Sequence, residues 1–195
     1  IKLKLNEVNF KLNPSNFEFE ISTLDPQIAI NEKNIDLENI KFDLNIFDYI
    51  SNKNPISEIS IISKENDIHQ FTDFINEYDF NLARNLIFKQ IKKGKIKITL
   101  NINFNENNPQ NIKYIINGYV KDAEIKLLNQ SKIENIKFNF FVDRDSINLN
   151  KIELVFDKIF VSSEKVNIKK INNYFDISGN FKTNKTKISL INYTK

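Results

Sequence analysis

The chain of 195 residues has no cysteine, no methionine and no tryptophan, and only one histidine, three glycines and four prolines. Without cysteine there is no disulfide framework, no thiolate metal site and no cysteine nucleophile. A single histidine, His69, excludes a His-paired zinc site, and any Ser-His-Asp arrangement would depend on that one ring. The glycines, at 94, 118 and 179, stand alone, so no glycine-rich loop is available to cradle phosphate. Arginine occurs only at 84 and 144. Twenty-eight basic residues face 25 acidic ones, a net charge of +3, and the signs alternate along the chain. There is no polybasic run of the nucleic-acid type. No run of 18 apolar residues occurs, so no helix long enough to cross a bilayer is expected.

What is abundant is a narrow alphabet. The chain holds 33 Ile, 32 Asn and 26 Lys, close to half of all residues. AT-rich codons encode these types, so their totals carry little information. Their order carries more. From Lys95 to Phe104, Ile96, Ile98, Leu100, Ile102 and Phe104 alternate with polar residues. A period of two sends successive side chains to opposite faces of a strand, and the run would extend about 30 Å.

The same pattern recurs at 1–12, 17–21, 27–30, 35–46, 56–62, 112–120, 123–128, 133–142, 147–156, 160–168, 174–181 and 186–191. Turns are expected at Asn13-Pro14-Ser15-Asn16 and Asn31-Glu32-Lys33-Asn34. Two segments, Leu37 to Ile40 and Leu149 to Ile152, slip by one residue midway. A slip of one flips the apolar face unless a bulge absorbs it, so bulges are expected there.

One region changes period. Between Asp67 and Lys93 the apolar spacing becomes three and four (Ile68, Phe71, Phe74, Ile75, Tyr78, then Leu82, Leu86, Ile87, Ile91), which predicts two amphipathic helices. Asp67 and Gln70 form a capping-box pattern, Tyr78 to Asn81 is the expected link, and Lys92-Lys93-Gly94 the expected end. The chain also repeats itself: residues 38–48 match 134–143, each copy following a short strand and a polar turn. No linker interrupts the pattern, so 1–195 reads as a single β-rich repeat segment of a longer protein with a helical insertion at about 67–93. The expected fold is mainly β: a long antiparallel meander forming a curved sheet with one inserted two-helix segment.

No catalytic or metal-binding constellation emerges. His69 has Glu65, Asn66, Thr72 and Asp73 at helical spacing, none of them a nucleophile activated by it. Asp143-Arg144-Asp145 falls between two strands and reads as a hairpin tip. Phenylalanines next to lysines, as in Lys41-Phe42 and Lys137-Phe138, alternate to the opposite face and share no stacking surface with them. The reading is a non-enzyme with no cofactor, no metal and no nucleic-acid partner. Long one-sided strands produce a wide apolar face. About 27 residues of helix are too few to cover it, so the sheet either closes into a sandwich or barrel core or leaves apolar surface open for a ligand.

Three segments, 35–46, 92–98 (Lys-Lys-Gly-Lys-Ile-Lys-Ile) and 116–127 (Ile-Asn-Gly-Tyr-Val-Lys-Asp-Ala-Glu-Ile-Lys-Leu), give the chain a further character. With its alternation, it resembles the AsmA-like family of bacterial envelope proteins, which includes the TamB and YhdP types. The resemblance implies a groove-like or taco-shaped sheet in a periplasmic protein. It also implies attachment to the inner membrane through an anchor outside this chain, and a role in phospholipid transport or outer-membrane maintenance. The implied partners are phospholipid acyl chains and other envelope proteins. On the inward face implied by the alternation, the candidate lipid-contacting residues are Phe42, Leu44, Ile46, Ile96, Ile98, Leu100, Ile102, Phe138 and Phe140. The alternative is an envelope scaffold with a closed β core and no ligand.

Overall fold

The structure, a computed structural model, describes residues 2–15, 17–30, 33–51, 53–71, 91–104, 112–127, 131–171 and 174–184. Their strands form one antiparallel sheet that does not close. The strands are β1 (Lys2–Lys4), β2 (Glu7–Asn13), β3 (Glu18–Leu24), β4 (Gln27–Ile30), β5 (Lys33–Asn45), β6 (Ile56–Ser63), β7 (Asn66–Asp67), β8 (Ile91–Asn103), β9 (Lys113–Lys126), β10 (Lys132–Val142), β11 (Ser146–Phe156), β12 (Ile159–Ile171), β13 (Tyr174–Gly179) and β14 (Lys182–Thr183). Pairs β1/β2, β3/β4, β6/β7 and β13/β14 are each a single pass of chain broken by a few residues. β3 and β4 pair with successive parts of β5, β7 continues β6 along β8, and β14 continues β13 along β12. The sheet is therefore a meander of about ten long passes, and the closed sandwich or barrel core is not what forms.

Apart from a slip at Asp43/Leu44 near the end of β5, the breaks and bulges form a band across the sheet. Asp25, Asp122, Asn135 and Lys151 have positive φ, and Gly94 sits at φ 145 within β8. The ladders slip at Leu37/Asn39, Lys93/Lys95, Ile133/Ile136 and Glu134/Lys137. Asp and Asn adopt the left-handed region at less cost than most side chains, and each bulge bends its strand. The bulged residue also flips the alternation. In β9 the inward residues are Tyr114, Ile116, Gly118 and Val120 before Asp122, then Ala123 and Ile125 after it. The two slips foreseen at 37–40 and 149–152 are members of this row, so they keep one apolar face through the bend.

The most buried residues trace the same band: Thr23, Pro26, Leu37, Ile40, Ser63, Asn66, Val120, Ala123, Ile136, Ile152, Ser163 and Val166. This row of burial marks the crease of a curved, groove-like sheet. Asn66 closes a gap in the ladder. Its Oδ1 accepts from the Asp36 N–H at 2.9 Å, and its Nδ2 donates to the carbonyls of Asp36 at 2.9 Å and Lys64 at 2.8 Å. Two clusters line the crease, one around Ile91, Val120, Ala123 and Ile136, the other around Ile35, Leu37 and Ile40.

Residues 68–71 are helical, and the Asp67 N–H donates to Gln70 Oε1 at 2.8 Å, one half of the expected capping box. Ile68 joins the first cluster and Phe71 packs on the second, so this turn rests on the apolar face beside the crease. The rest of the first expected helix, the link and most of the second lie outside the described residues, as does the expected strand at 186–191. The far boundary is corrected. Residues 91–94 belong to β8, where Ile91 pairs with Ile125 and Lys93 with Glu124. Gly94 supplies a positive φ, but to a bulge rather than to a helix end.

Two other expectations shift. Residues 112–120 and 123–128 are one strand, β9, bent at Asp122, rather than two. Strand β5 stops at Asn45, because its Oδ1 accepts from the N–H of Phe47 at 2.9 Å and of Asp48 at 3.4 Å, starting the short helix α1 (Ile46–Ile50). The repeat at 38–48 and 134–143 falls on β5, with 46–48 passing into α1, and on β10, the third and seventh passes. Both run the same way and place Ile40 and Ile136 in the buried crease.

The outer face is polar and self-paired. Lys41 lies 3.2 Å from Glu20 and 3.1 Å from Asp43, Lys137 lies 2.8 Å from Glu153, and Lys97 pairs with Glu38. Glu65 receives Lys121 at 2.7 Å and the Tyr119 hydroxyl at 2.9 Å. Those two donors, Lys121 foremost, hold its carboxyl below the usual carboxylate range. Exposed pairs of this kind contribute little each. They identify this face as the solvent side.

Candidate apolar trough

The inner face is built from cross-strand partners. One row of mutual partners crosses every pass of the sheet: Val8, Thr23, Ile40, Ile61, Leu100, Ile116, Val142, Ile147, Ile168 and Ile177. Thr23 is the only polar member. At about 4.8 Å between strands, the row extends roughly 40 Å. A second row beside it joins Ile98, Gly118, Phe140, Leu149 and Val166. A third joins Phe10, Ile21, Phe42, Ile59, Ile102 and Tyr114.

Away from the crease these side chains are only half-buried, and at the two edges they are exposed. Phe10 retains 67% of its accessible surface and Ile177 66%. A sheet face packed under a second layer would be buried along its length. Among the described residues, only the helical turn at 68–71 lies on this face.

Of the candidate lipid-contacting residues, Phe42, Leu44, Ile96, Ile98, Leu100, Ile102, Phe138 and Phe140 all fall on the inner face and are half-buried. Phe138 and Phe140 meet edge to face, with ring centroids 6.3 Å apart. Ile46 does not continue the row. It opens α1 beyond the end of β5, because the Asn45 cap turns the chain out of the sheet. Of the long row, sequence reasoning named only Leu100 and left out Val8, Thr23, Ile40, Ile61, Ile116, Val142, Ile147, Ile168 and Ile177. Each is inward by its own alternation, but their alignment depends on register, which the bulges set.

Gly118 shapes the middle of the trough. A Cβ there would lie 2.0 Å from the Lys97 carbonyl oxygen and 2.8 Å from Phe140 Cζ, so glycine lets the Phe140 ring lie against the backbone of β9. Thr23 is 2% exposed, and its hydroxyl has no hydrogen-bond partner among the described residues.

The rim is polar. At the β10–β11 hairpin, Asp143 Oδ1 accepts from the N–H of Asp145 at 2.9 Å and of Ser146 at 2.7 Å, and the Ser146 hydroxyl donates to Oδ2 at 3.0 Å. These donors, the Asp145 N–H first, lower the Asp143 carboxyl. The expected hairpin tip at 143–145 is present. His69 is exposed, with Nε2 2.7 Å from the Lys92 carbonyl oxygen. No family model, no curated protein and no solved structure matches the chain. The fold defines the class: a single-layer, open, bent antiparallel sheet with one apolar and one charged face.

Proposed function

We propose that the chain is a non-enzymatic segment of a cell-envelope protein whose apolar trough carries phospholipid acyl chains. One observation supports this above the others: the row of ten cross-strand partners, nine of them apolar and all but Thr23 and Ile40 partly exposed. Contiguous apolar surface larger than a few hundred Å² marks a binding site in folded proteins. An acyl chain in one leaflet spans about 15 Å, half of the ~30 Å hydrocarbon core, so the row is longer than one lipid. Each methylene kept out of water is worth about 0.8 kcal/mol. A trough of even apolar character offers that gain at every step, so lipid slides along it without a chemical step. The periplasmic setting, the inner-membrane anchor and the outer-membrane role rest on the AsmA-like resemblance alone.

A second reading, an assembly scaffold acting by strand addition, is favoured by β2, which is exposed along its whole length at the sheet edge. A probe at the trough separates the two. The chain has no native cysteine, so Ile116→Cys can carry a single environment-sensitive fluorophore. Adding phospholipid is expected to shift its emission to the blue and saturate. An unchanged spectrum at saturating lipid would contradict the transport reading.

A further inference from the structure

The trough has a charged mouth. A cavity of about 250 Å³ opens on the inner face at the β10–β11 hairpin, walled by Tyr114, Val142, Ile147, Ile168 and Phe175 and closed at the strand ends by residues 143–146. Val142, Ile147 and Ile168 belong to the ten-residue row, so the cavity continues the trough to its rim. Arg144 is exposed at this point, and among the described residues no carboxylate pairs with it, in contrast to the ion-paired lysines of the outer face. The nearer acid, Asp143, is already turned into its own hairpin by three hydrogen bonds. On the outer face of the same hairpin, Lys113 and Lys169 line a separate cavity of about 610 Å³ that Arg144 also borders. Arg144 is thus the cation at the rim where the apolar row passes the β10–β11 hairpin, flanked by Asp143 and the exposed Asp145.

We propose that this mouth is a headgroup site for a glycerophospholipid. Its phosphodiester engages the Arg144 guanidinium, while the first part of an acyl chain lies along Ile147, Ile168 and Phe175. The proposal rests on the trough reading and adds to it the place of the headgroup at Arg144 and the lipid's orientation, headgroup at the rim and tails inward. Arginine fits this role because its planar fork offers paired N–H donors to phosphate oxygens.

The test uses the full chain and two probes with the same labelled acyl chains, a phosphatidylglycerol and a diacylglycerol that lacks the phosphate. The wild type is expected to bind the phosphatidylglycerol about tenfold more tightly, the scale of one lost charge-assisted hydrogen-bond pair. Arg144→Glu is expected to remove that preference and leave diacylglycerol binding unchanged. Arg144→Lys should retain part of it. Inorganic phosphate at millimolar concentration should not displace the lipid, because it lacks the tails. Equal binding of the two probes by the wild type, or an unaltered preference in Arg144→Glu, would overturn the headgroup site while leaving the trough standing. Binding of neither probe would overturn both.

Discussion

Leu100→Asp is expected to strip the protein of bound lipid and leave it folded. Leu100 lies in the middle of the ten-residue row between Ile61 and Ile116, and it is half-buried rather than buried. In the empty trough a carboxylate at this position keeps water on its open side, so the sheet holds. An acyl chain laid over it would have to bury an unpaired charge, which costs several kcal/mol. Bound phospholipid should fall at least about tenfold, the equivalent of ~1.4 kcal/mol. The circular dichroism spectrum should be unchanged and the melting temperature within a few degrees of wild type. The opposite pattern, a variant that unfolds while its lipid content is the same per folded molecule, would mean that Leu100 serves a packed core.

Of the three glycine-to-alanine changes, Gly118→Ala is expected to cost the most stability. The new Cβ would stand 2.0 Å from the Lys97 carbonyl oxygen, an atom of the neighbouring strand's backbone, and 2.8 Å from Phe140 Cζ. A flexible side chain can turn away, but a strand backbone in the middle of a ladder cannot. Ile98 pairs with Gly118, so relief of the clash requires β8 and β9 to part near the centre of the sheet. The expected loss is about 3 kcal/mol or more, read as a fall in the urea midpoint. Gly118→Ala combined with Phe140→Leu distinguishes the two contacts. The double variant stays destabilised, because the carbonyl is still in place. Full recovery in the double variant would assign the clash to the Phe140 ring alone.

Much of this fold is legible in the order of the residues. Ile96 to Ile102 announce a one-sided strand, and the slips at Leu37–Ile40 and Leu149–Ile152 are the visible trace of the crease. At other passes the crease is written in residues that look ordinary in sequence. Asp25, Asp122 and Asn135 take left-handed φ because a ladder on each side holds them there, and nothing local to each residue demands it. Gly94 shows the same ambiguity. A glycine after two lysines suits a helix end, yet pairing with β9 draws residues 91–94 into a strand and uses the glycine for a bulge. The start of α1 carried a readable signal in Asn45, a good N-cap, but the apolar run on either side masked it.

The candidate site was legible by face and not by register. Alternation assigns Phe42, Leu100 and Phe140 inward one strand at a time. Whether they align into rows depends on how many residues each bulge absorbs, and that is a property of paired strands. Ile46 marks where face assignment alone goes wrong: it keeps the even-numbered pattern of β5 after the chain has left the sheet. The mouth at Arg144 follows from the same register, which brings Val142 and Ile147 of the long row to the hairpin that carries the arginine.

The central claim is that the inner face is a lipid path and not a core. The measurement that tests it most directly is organic extraction of the protein purified from cells without detergent, with the extract quantified by mass spectrometry. The account predicts phospholipid at one or more molecules per chain, and its loss from the Leu100→Asp protein purified the same way. An extract free of phospholipid, from folded wild-type protein that also takes up none from vesicles, would contradict it.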